Sequence, residues 1–348
     1  MDIKVGKHTI GDNHPAFIIA ELSANHLQKY DLAVKTIKAM KAAGADAVKI
    51  STDEPNGGIT INCHNKYFKI KGGTLWDNNY LYDLYQKVKT PWEWHKPLQK
   101  LTEQLGMVFF STPSCNKSTD FLVNLNVPIL KVSSFELNDT NLVKYIASKN
   151  KPIILSTGMA YLGEIEDAVK ACKSVGNDKI ILLKCVSAYP SRIEDTNLNN
   201  IFTLKKIFGT IVGLSDHTLG INTAIAAVAI GAKVIEKHFI LDRRLGGPDC
   251  EFSLEPEEFK SMVSSIREVE KAMGSTNYIL TKSAKKGRIF ARSLFTTKDI
   301  QVGEVFTINN IKSIRPNYGL SPKYLGAIIG KKARINIKKG TPLTWDLL

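Results

Sequence analysis

The chain has 348 residues, 43% of them hydrophobic and 23% charged, with a formal net charge of +14. That length exceeds one ordinary domain and suits a large domain followed by a small one. No apolar run approaches the roughly 18–20 residues of a membrane span, and the N-terminal residues lack the apolar core of a signal peptide. The five cysteines are odd in number and have no CxxC spacing, so the composition argues against a membrane protein, a disulfide scaffold or a zinc ribbon and predicts a cytoplasmic protein with free thiols.

Short β-branched runs alternate with longer stretches of helical period. The first predicted strand is Phe17–Leu22, followed by a helix over Asp31–Ala43 and a strand at Ala47–Ile50. An insertion from Asp53 to Thr90 then breaks the rhythm. Its alternating Ile59–Cys63 run and its Gly72–Asp77 turn read as a hairpin or lid over one face of the fold. Next come a helix over Trp92–Gly106, strands at Val108–Thr112, Ile129–Ser134 and Pro152–Thr157, and a helix over Gly163–Val175. Strands at Ile180–Cys185 and Thr210–Asp216, a helix over Asn222–Gly231, a strand at Lys233–Phe239 and a helix over Glu255–Gly274 complete the series. Eight βα units over roughly 250 residues predict an α/β fold of the (β/α)8 TIM-barrel class. A doubly wound open sheet is the runner-up, but no GxGxxG follows the first strand.

The texture changes after Gly274. Thr281–Gly287 is polar and basic and reads as a linker, and the short strands and turns beyond it predict a compact, mostly β module. The expected domains are 1–280 and 281–348. The second holds ten Lys, four Arg and three acidic residues, a net of +11, which leaves only +3 for the first. Besides a Lys-rich solvated surface, this asymmetry fits an anionic partner. With no nucleic-acid motif or serial aromatic platform, a small anion is the better reading.

Barrel enzymes draw their chemistry from the C-terminal ends of their strands. Here these ends carry Glu21; Lys49; Ser111 and Thr112; Lys131, Ser133, Ser134 and Glu136; Ser156; Lys184, Ser187 and Tyr189; Ser215, Asp216 and His217; and Glu236, Lys237 and His238. One such residue is ordinarily a satisfied structural group, but eight polar strand ends in eight predict a catalytic rim. Three lysines, Lys49, Lys131 and Lys184, among hydroxyls suit a phosphate and a carboxylate. His217 and His238 end neighbouring strands and, beside Glu21, suit a divalent cation with open positions, Mn²⁺ or Mg²⁺ rather than a closed zinc site. Asp249 lies in a turn that could face the rim. Trp92 and Trp94 read equally well as packing, and His64 and His95 have no partner in the sequence.

At these residues the sequence resembles the sialic acid (nonulosonate) synthase family, and within it the pseudaminic acid branch. The motifs are Ile18-Ile-Ala-Glu-Leu-Ser-Ala-Asn-His26, Gly72-Gly-Thr-Leu-Trp-Asp77, Leu81-Tyr-Asp-Leu-Tyr85 and Thr90-Pro-Trp-Glu-Trp-His95. Further on stand Ser156-Thr-Gly-Met159, Gly213-Leu-Ser-Asp-His-Thr218, Ile235-Glu-Lys-His-Phe239 and Gly246-Gly-Pro-Asp249. Ala291-Arg-Ser-Leu294, Ile300-Gln-Val-Gly-Glu304 and Ser313-Ile-Arg-Pro316 resemble the family's antifreeze-like (SAF) domain.

The resemblance implies condensation of phosphoenolpyruvate with a 2,4-diacetamido-2,4,6-trideoxy hexose of altrose type and water, giving pseudaminic acid or a related nonulosonic acid plus phosphate. It implies metal ligation by His217 and His238, and phosphoenolpyruvate binding by Lys49, Thr112, Lys131, Ser134, Ser156, Ser187 and Ser215. Glu21 would be catalytic, and Glu136, Tyr189, Asp249 and Arg315 would meet the sugar. Arg315 would come from the partner of a domain-swapped homodimer. The departures lie on the sugar side: Ser51-Thr-Asp-Glu-Pro55 replaces a usual Gln-Thr, Pro113-Ser-Cys115 a usual Pro-Phe, and Ser187 stands where Asn is frequent. The alternatives are an N-acetylneuraminate or legionaminate synthase, a deoxy-heptulosonate-type synthase, and a non-catalytic relative that binds sugar or phosphoenolpyruvate without turnover.

Overall fold

The computed structural model describes all 348 residues as two compact units, Met1–Gly274 and Ser275–Leu348. The first opens with an antiparallel hairpin of β1 (Asp2–Val5) and β2 (His8–Gly11). The sequence did not lead us to expect it, since two four-residue strands are too short to carry a period. Its Ile3, Val5 and Ile10 are buried in the main core, and Gly6 approaches Val108.

Eight parallel strands then close into a barrel: β3 (Phe17–Glu21), β4 (Ala47–Thr52), β5 (Val108–Pro113), β6 (Leu130–Val132), β7 (Ile153–Ser156), β8 (Ile180–Cys185), β9 (Ile211–Asp216) and β10 (Val234–His238), with β10 paired to β3. These are the eight strands expected from the sequence. Each is apolar over most of its length because both faces are covered, one by the barrel lumen and one by surrounding helices. Fully burying a side chain such as Phe110 or Ile154 contributes about 1.5–3 kcal/mol. Gly213 is required where it stands, because a Cβ there would lie 2.3 Å from the Val234 carbonyl oxygen and 2.7 Å from Leu183.

The principal helices of this unit are α1 (Tyr30–Ala42), α2 (Leu81–Val88), α3 (Trp92–Gln104), α4 (Asn116–Asn124), α5 (Thr140–Ala147), α6 (Leu162–Ser174), α7 (Asn200–Phe208), α8 (Asn222–Ala229) and α9 (Pro256–Met273). Local chemistry sets their starts. Asp139 accepts a hydrogen bond from the Leu142 amide at 3.0 Å, and Pro256 opens α9 behind a Glu255–Glu258 capping box. No helix is long and apolar enough to cross a membrane, and all five cysteines are free.

The Asp53–Thr90 insertion is not a regular hairpin. It holds isolated bridges, Asn56 with Thr60 and Lys69 with Tyr80, and then α2. The alternating Ile59–Cys63 run stays irregular because neither of its faces is buried, and β preference expresses itself only against a surface to pack on. The Gly72–Asp77 turn is nevertheless well tied. The Asp77 carboxylate accepts from the amides of Gly72, Gly73 and Thr74 at 3.0–3.2 Å and from the Thr74 hydroxyl at 2.8 Å. Those bonds hold Asp77 down to about 2.

In the second unit the expected linker is partly helical: α10 (Lys282–Gly287) is capped by Thr281, whose hydroxyl accepts from the Ala284 amide at 3.1 Å. Beyond it β11 (Ser293–Thr296) pairs antiparallel with β12 (Ile311–Ile314), and the short helix α11 (Leu325–Ile328) follows. Leu294, Ile300, Phe306, Ile311, Ile328 and Leu343 form the core of this unit. Arg315 stands exposed just after β12.

Candidate active site

Alternation along each strand decides which side chains reach the barrel mouth. Glu21, Lys49, Thr112, Lys131, Ser156, Cys185, Ser215, His217, Glu236 and His238 share the lumenal face, and all are buried. Four expected rim residues face the other way. Lys184 donates to the Cys185 carbonyl at 2.8 Å, so parity puts the Cys185 thiol, not this lysine, in the mouth. Lys237 and Asp216 pair at 2.8 Å with no solvent exposure beyond 2%. Ser111 bonds Thr52 at 2.6 Å, and Thr52 in turn bonds His95 at 2.7 Å, a buried polar chain that ties α3 to the barrel.

On one side of the mouth lies a cradle of cations and hydroxyls. Lys49 bonds Glu21, reaches Glu236 at 3.6 Å and donates to Thr112 at 3.4 Å. Ser215 donates to Glu236 at 3.3 Å, and Ser134 accepts from the Gly158 amide at 2.9 Å. The Ser156 hydroxyl is buried without a partner. Gly158 keeps this space open, because a Cβ there would lie 2.3 Å from the Ser187 hydroxyl and 2.9 Å from Cys185 and Ser134.

Burial pushes the Glu21 carboxyl up to about 7, with Lys49 pulling it down and Glu236 adding to the rise. Burial also opposes the charge on Lys49, but Glu21 and Glu236 outweigh it and raise its pKa. For Glu236, burial is overcome by Lys131 and Lys49, which hold it low. Lys131 is the exposed weakness of this network. It is 2% accessible, has no carboxylate within 4 Å, and burial lowers its pKa. A buried ammonium left this short of countercharge suits an anionic ligand.

Beside the cradle, two residues beyond Ser215 and Glu236, stand the two imidazoles, with ring centroids 5.4 Å apart. His217 Nδ1 lies 2.9 Å from the Val186 carbonyl, so it donates there and leaves Nε2 with its lone pair. His238 Nδ1 is buried with no hydrogen-bond partner and lies 3.7 Å from Asp249. Both nitrogens suit a divalent cation. No three His, Cys, Asp or Glu side chains gather into a closed cage, so the imidazole pair is what the chain itself offers.

Asp249 accepts from the Ala24 amide at 3.3 Å, which joins the first and last strand ends. Glu136 bonds Ser133, and Tyr189 packs on His217 with centroids 4.4 Å apart. The barrel unit thus brings together the site residues that the resemblance implies for it, without Lys184, whereas Arg315 belongs to the second unit. Three mouth groups escaped the sequence reading. Cys185 follows from counting back by two from His217 to Ser215, its paired residue across β8 and β9. Phe252, 4.8 Å from His238, and Trp76, on the insertion, had no positional signal.

Residues 36–278 match the model of the NeuB family, and residues 291–348 match that of the SAF domain. The chain belongs to the NeuB family. It is 48% identical over 333 residues to the pseudaminic acid synthase of Helicobacter pylori, covering 95% of this chain and 97% of that one. It is 39% identical over 325 residues to the N,N'-diacetyllegionaminic acid synthase of Campylobacter jejuni, covering 92% of this chain and 97% of that one. Among solved structures, it is similar to the N-acetylneuraminic acid synthetase of Leptospira borgpetersenii in complex with citrate, with a TM-score of 0.74 at 32% identity over 82% of this chain and 95% of that one. The matched residues carry the lumenal rim described above apart from Glu21.

Proposed function

We infer that this protein is a pseudaminic acid synthase, condensing phosphoenolpyruvate with a 2,4-diacetamido-2,4,6-trideoxy hexose and water. The observation that carries the reading is the convergence of Lys49, Lys131 and several hydroxyls, Ser156 unpaired among them, beside an imidazole pair, in a chain nearly half identical to a pseudaminic acid synthase along its length. The cradle of Lys49, Lys131, Thr112, Ser134, Ser156 and Ser215, with Ser187 beside it, holds the phosphate and carboxylate and fixes C3 toward the aldehyde.

His217 and His238 would hold Mn²⁺ or Mg²⁺, which when bound supplies Lewis-acid polarisation of the aldehyde oxygen. A C–C bond forms between C3 of phosphoenolpyruvate and C1 of the sugar. The former aldehyde oxygen takes up a proton to become a hydroxyl, water adds at C2 with Glu21 taking one of its protons, and phosphate leaves with the other as the C2–O bond breaks and the C2 ketone forms. A carboxyl held near neutrality by its burial is suited to that transfer. Glu136, Tyr189 and Asp249 line the sugar side.

Two further features belong to the same reading. We place Arg315 in the mouth of a second copy, since the lumenal rim itself contains no arginine to pair with a carboxylate or phosphate; the active form would then be a domain-swapped homodimer. Exposed apolar residues flanking the linker, Tyr278, Ile279 and Phe290, fit a surface covered by that copy. Five free thiols suit a cytoplasmic setting. Legionaminate or N-acetylneuraminate synthesis is the second reading, and the Ser51 and Asp53 departures at the end of β4 are what bear on it.

The test uses phosphoenolpyruvate labelled with ¹⁸O at the bridging C2 oxygen. Phosphate release that requires the diacetamido hexose and carries the label supports the reaction. Unlabelled phosphate, or release without the sugar, contradicts it.

A further inference from the structure

The insertion after β4 carries an aromatic side chain with an unmet need. Trp76 sits in the turn that Asp77 ties down, so its position is set by the chain and not by a floppy loop. Its indole packs on Tyr189 with ring centroids 5.3 Å apart. Phe135 stacks on the same Tyr189 at 6.4 Å and 20°, and is itself 47% exposed. Tyr189 in turn touches His217, so Trp76 stands one ring away from the reacting end of the mouth.

The Trp76 Nε1 atom is buried and has no hydrogen-bond partner. An indole nitrogen can only donate, and leaving such a donor dry costs about 1–3 kcal/mol. Tryptophans at well-ordered positions normally satisfy it. A donor next to apolar ring faces matches an acetamido group, which offers one strong carbonyl acceptor and one methyl. A hydroxyl in the same place would meet the N–H but leave the ring faces unfilled.

We propose that Trp76 selects the acetamido substituent distant from the aldehyde carbon, its indole N–H donating to the amide carbonyl while Trp76, Tyr189 and Phe135 enclose the methyl. This rests on the reading of the protein as a synthase acting on a diacetamido hexose, and adds to it the residue that reads the second acetamido group. Trp76 binds and does not take part in the bond changes.

The experiment compares the wild type with Trp76→Phe, which keeps a ring and deletes the N–H, and with Trp76→Leu. Two ligands are used: the 2,4-diacetamido hexose as substrate, and the same 6-deoxy sugar with a hydroxyl at C4, scored by its inhibition constant. Trp76→Phe is expected to raise KM for the diacetamido sugar about tenfold, the size of one lost hydrogen bond. KM for phosphoenolpyruvate and the inhibition constant of the C4-hydroxyl sugar stay unchanged. Trp76→Leu raises the sugar KM further. An unchanged sugar KM, or equal weakening of both sugars, overturns the assignment. A wild type with no turnover of the diacetamido hexose overturns the activity reading instead.

Discussion

Glu21 on β3 and Lys49 on β4 are paired in register and bonded side chain to side chain at the centre of the mouth. The contact joins the group assigned to proton transfer with one assigned to anion binding. Glu21→Gln keeps the shape and removes the proton acceptor. We expect kcat to fall by about 10²–10⁴ while the melting temperature is little changed. Near wild-type turnover would remove Glu21 from the chemistry.

The two fully buried lysines are expected to fail in opposite ways. Lys237 is matched by Asp216, so Lys237→Met strands a buried carboxylate and costs about 3–5 kcal/mol. Lys131 has no carboxylate within 4 Å and acts on Glu236 only at longer range, beside Lys49, so Lys131→Met costs less stability than Lys237→Met but weakens phosphoenolpyruvate binding by at least about a hundredfold. Denaturant melts and KM values for both variants check this. A Lys131 variant that unfolds would mean the lysine is structural.

Metal binding has a readout apart from activity. Titrating the protein into Mn²⁺ and following loss of the free-ion EPR signal gives an affinity. His217→Ala should weaken it at least about tenfold. An unaltered titration would mean the imidazole pair is not the site.

The active site proposed to be shared between two copies would make inactive variants complementary. Glu21→Gln and Arg315→Ala dimers, mixed under conditions that exchange subunits, should recover about a quarter of wild-type activity, since half the dimers then have one intact site of two. No recovery despite exchange would place Arg315 in its own barrel or outside the site.

The buried histidines of the scaffold set a pH response. Burial lowers both His26 and His95 to about 4, against 6.5 for the free side chain. The unfolded chain therefore binds more protons between those values. The stability these neutral rings contribute is present above pH 6.5 and is lost as pH falls toward 4. Their imidazole proton resonances should not shift between pH 8 and about 5. A titration midpoint near 6.5 would contradict the burial.

The strands were legible because eight apolar runs recur with polar residues at their ends. What the sequence obscured was direction. Lys184 looks like a rim cation until parity along β8 turns it outward and Cys185 inward, and Asp216 and Lys237 satisfy each other behind the barrel wall. The insertion was anticipated as a hairpin or lid, but its irregular form was not. Ile59–Cys63 alternates without a surface to bury against, and the working part is the Asp77-tied turn that delivers Trp76 to Tyr189. Such a placement depends on contacts more than a hundred residues apart, which no local period encodes.

The central claim is tested most directly by offering the protein phosphoenolpyruvate, Mn²⁺ and either 2,4-diacetamido-2,4,6-trideoxy-altrose or N-acetylmannosamine, and identifying the products by mass and NMR. The account predicts a 3-deoxy nine-carbon keto acid bearing two acetamido groups, with kcat/KM for the diacetamido sugar exceeding that for N-acetylmannosamine by at least about a hundredfold. Higher kcat/KM with N-acetylmannosamine, or no nine-carbon product from either sugar, would contradict it.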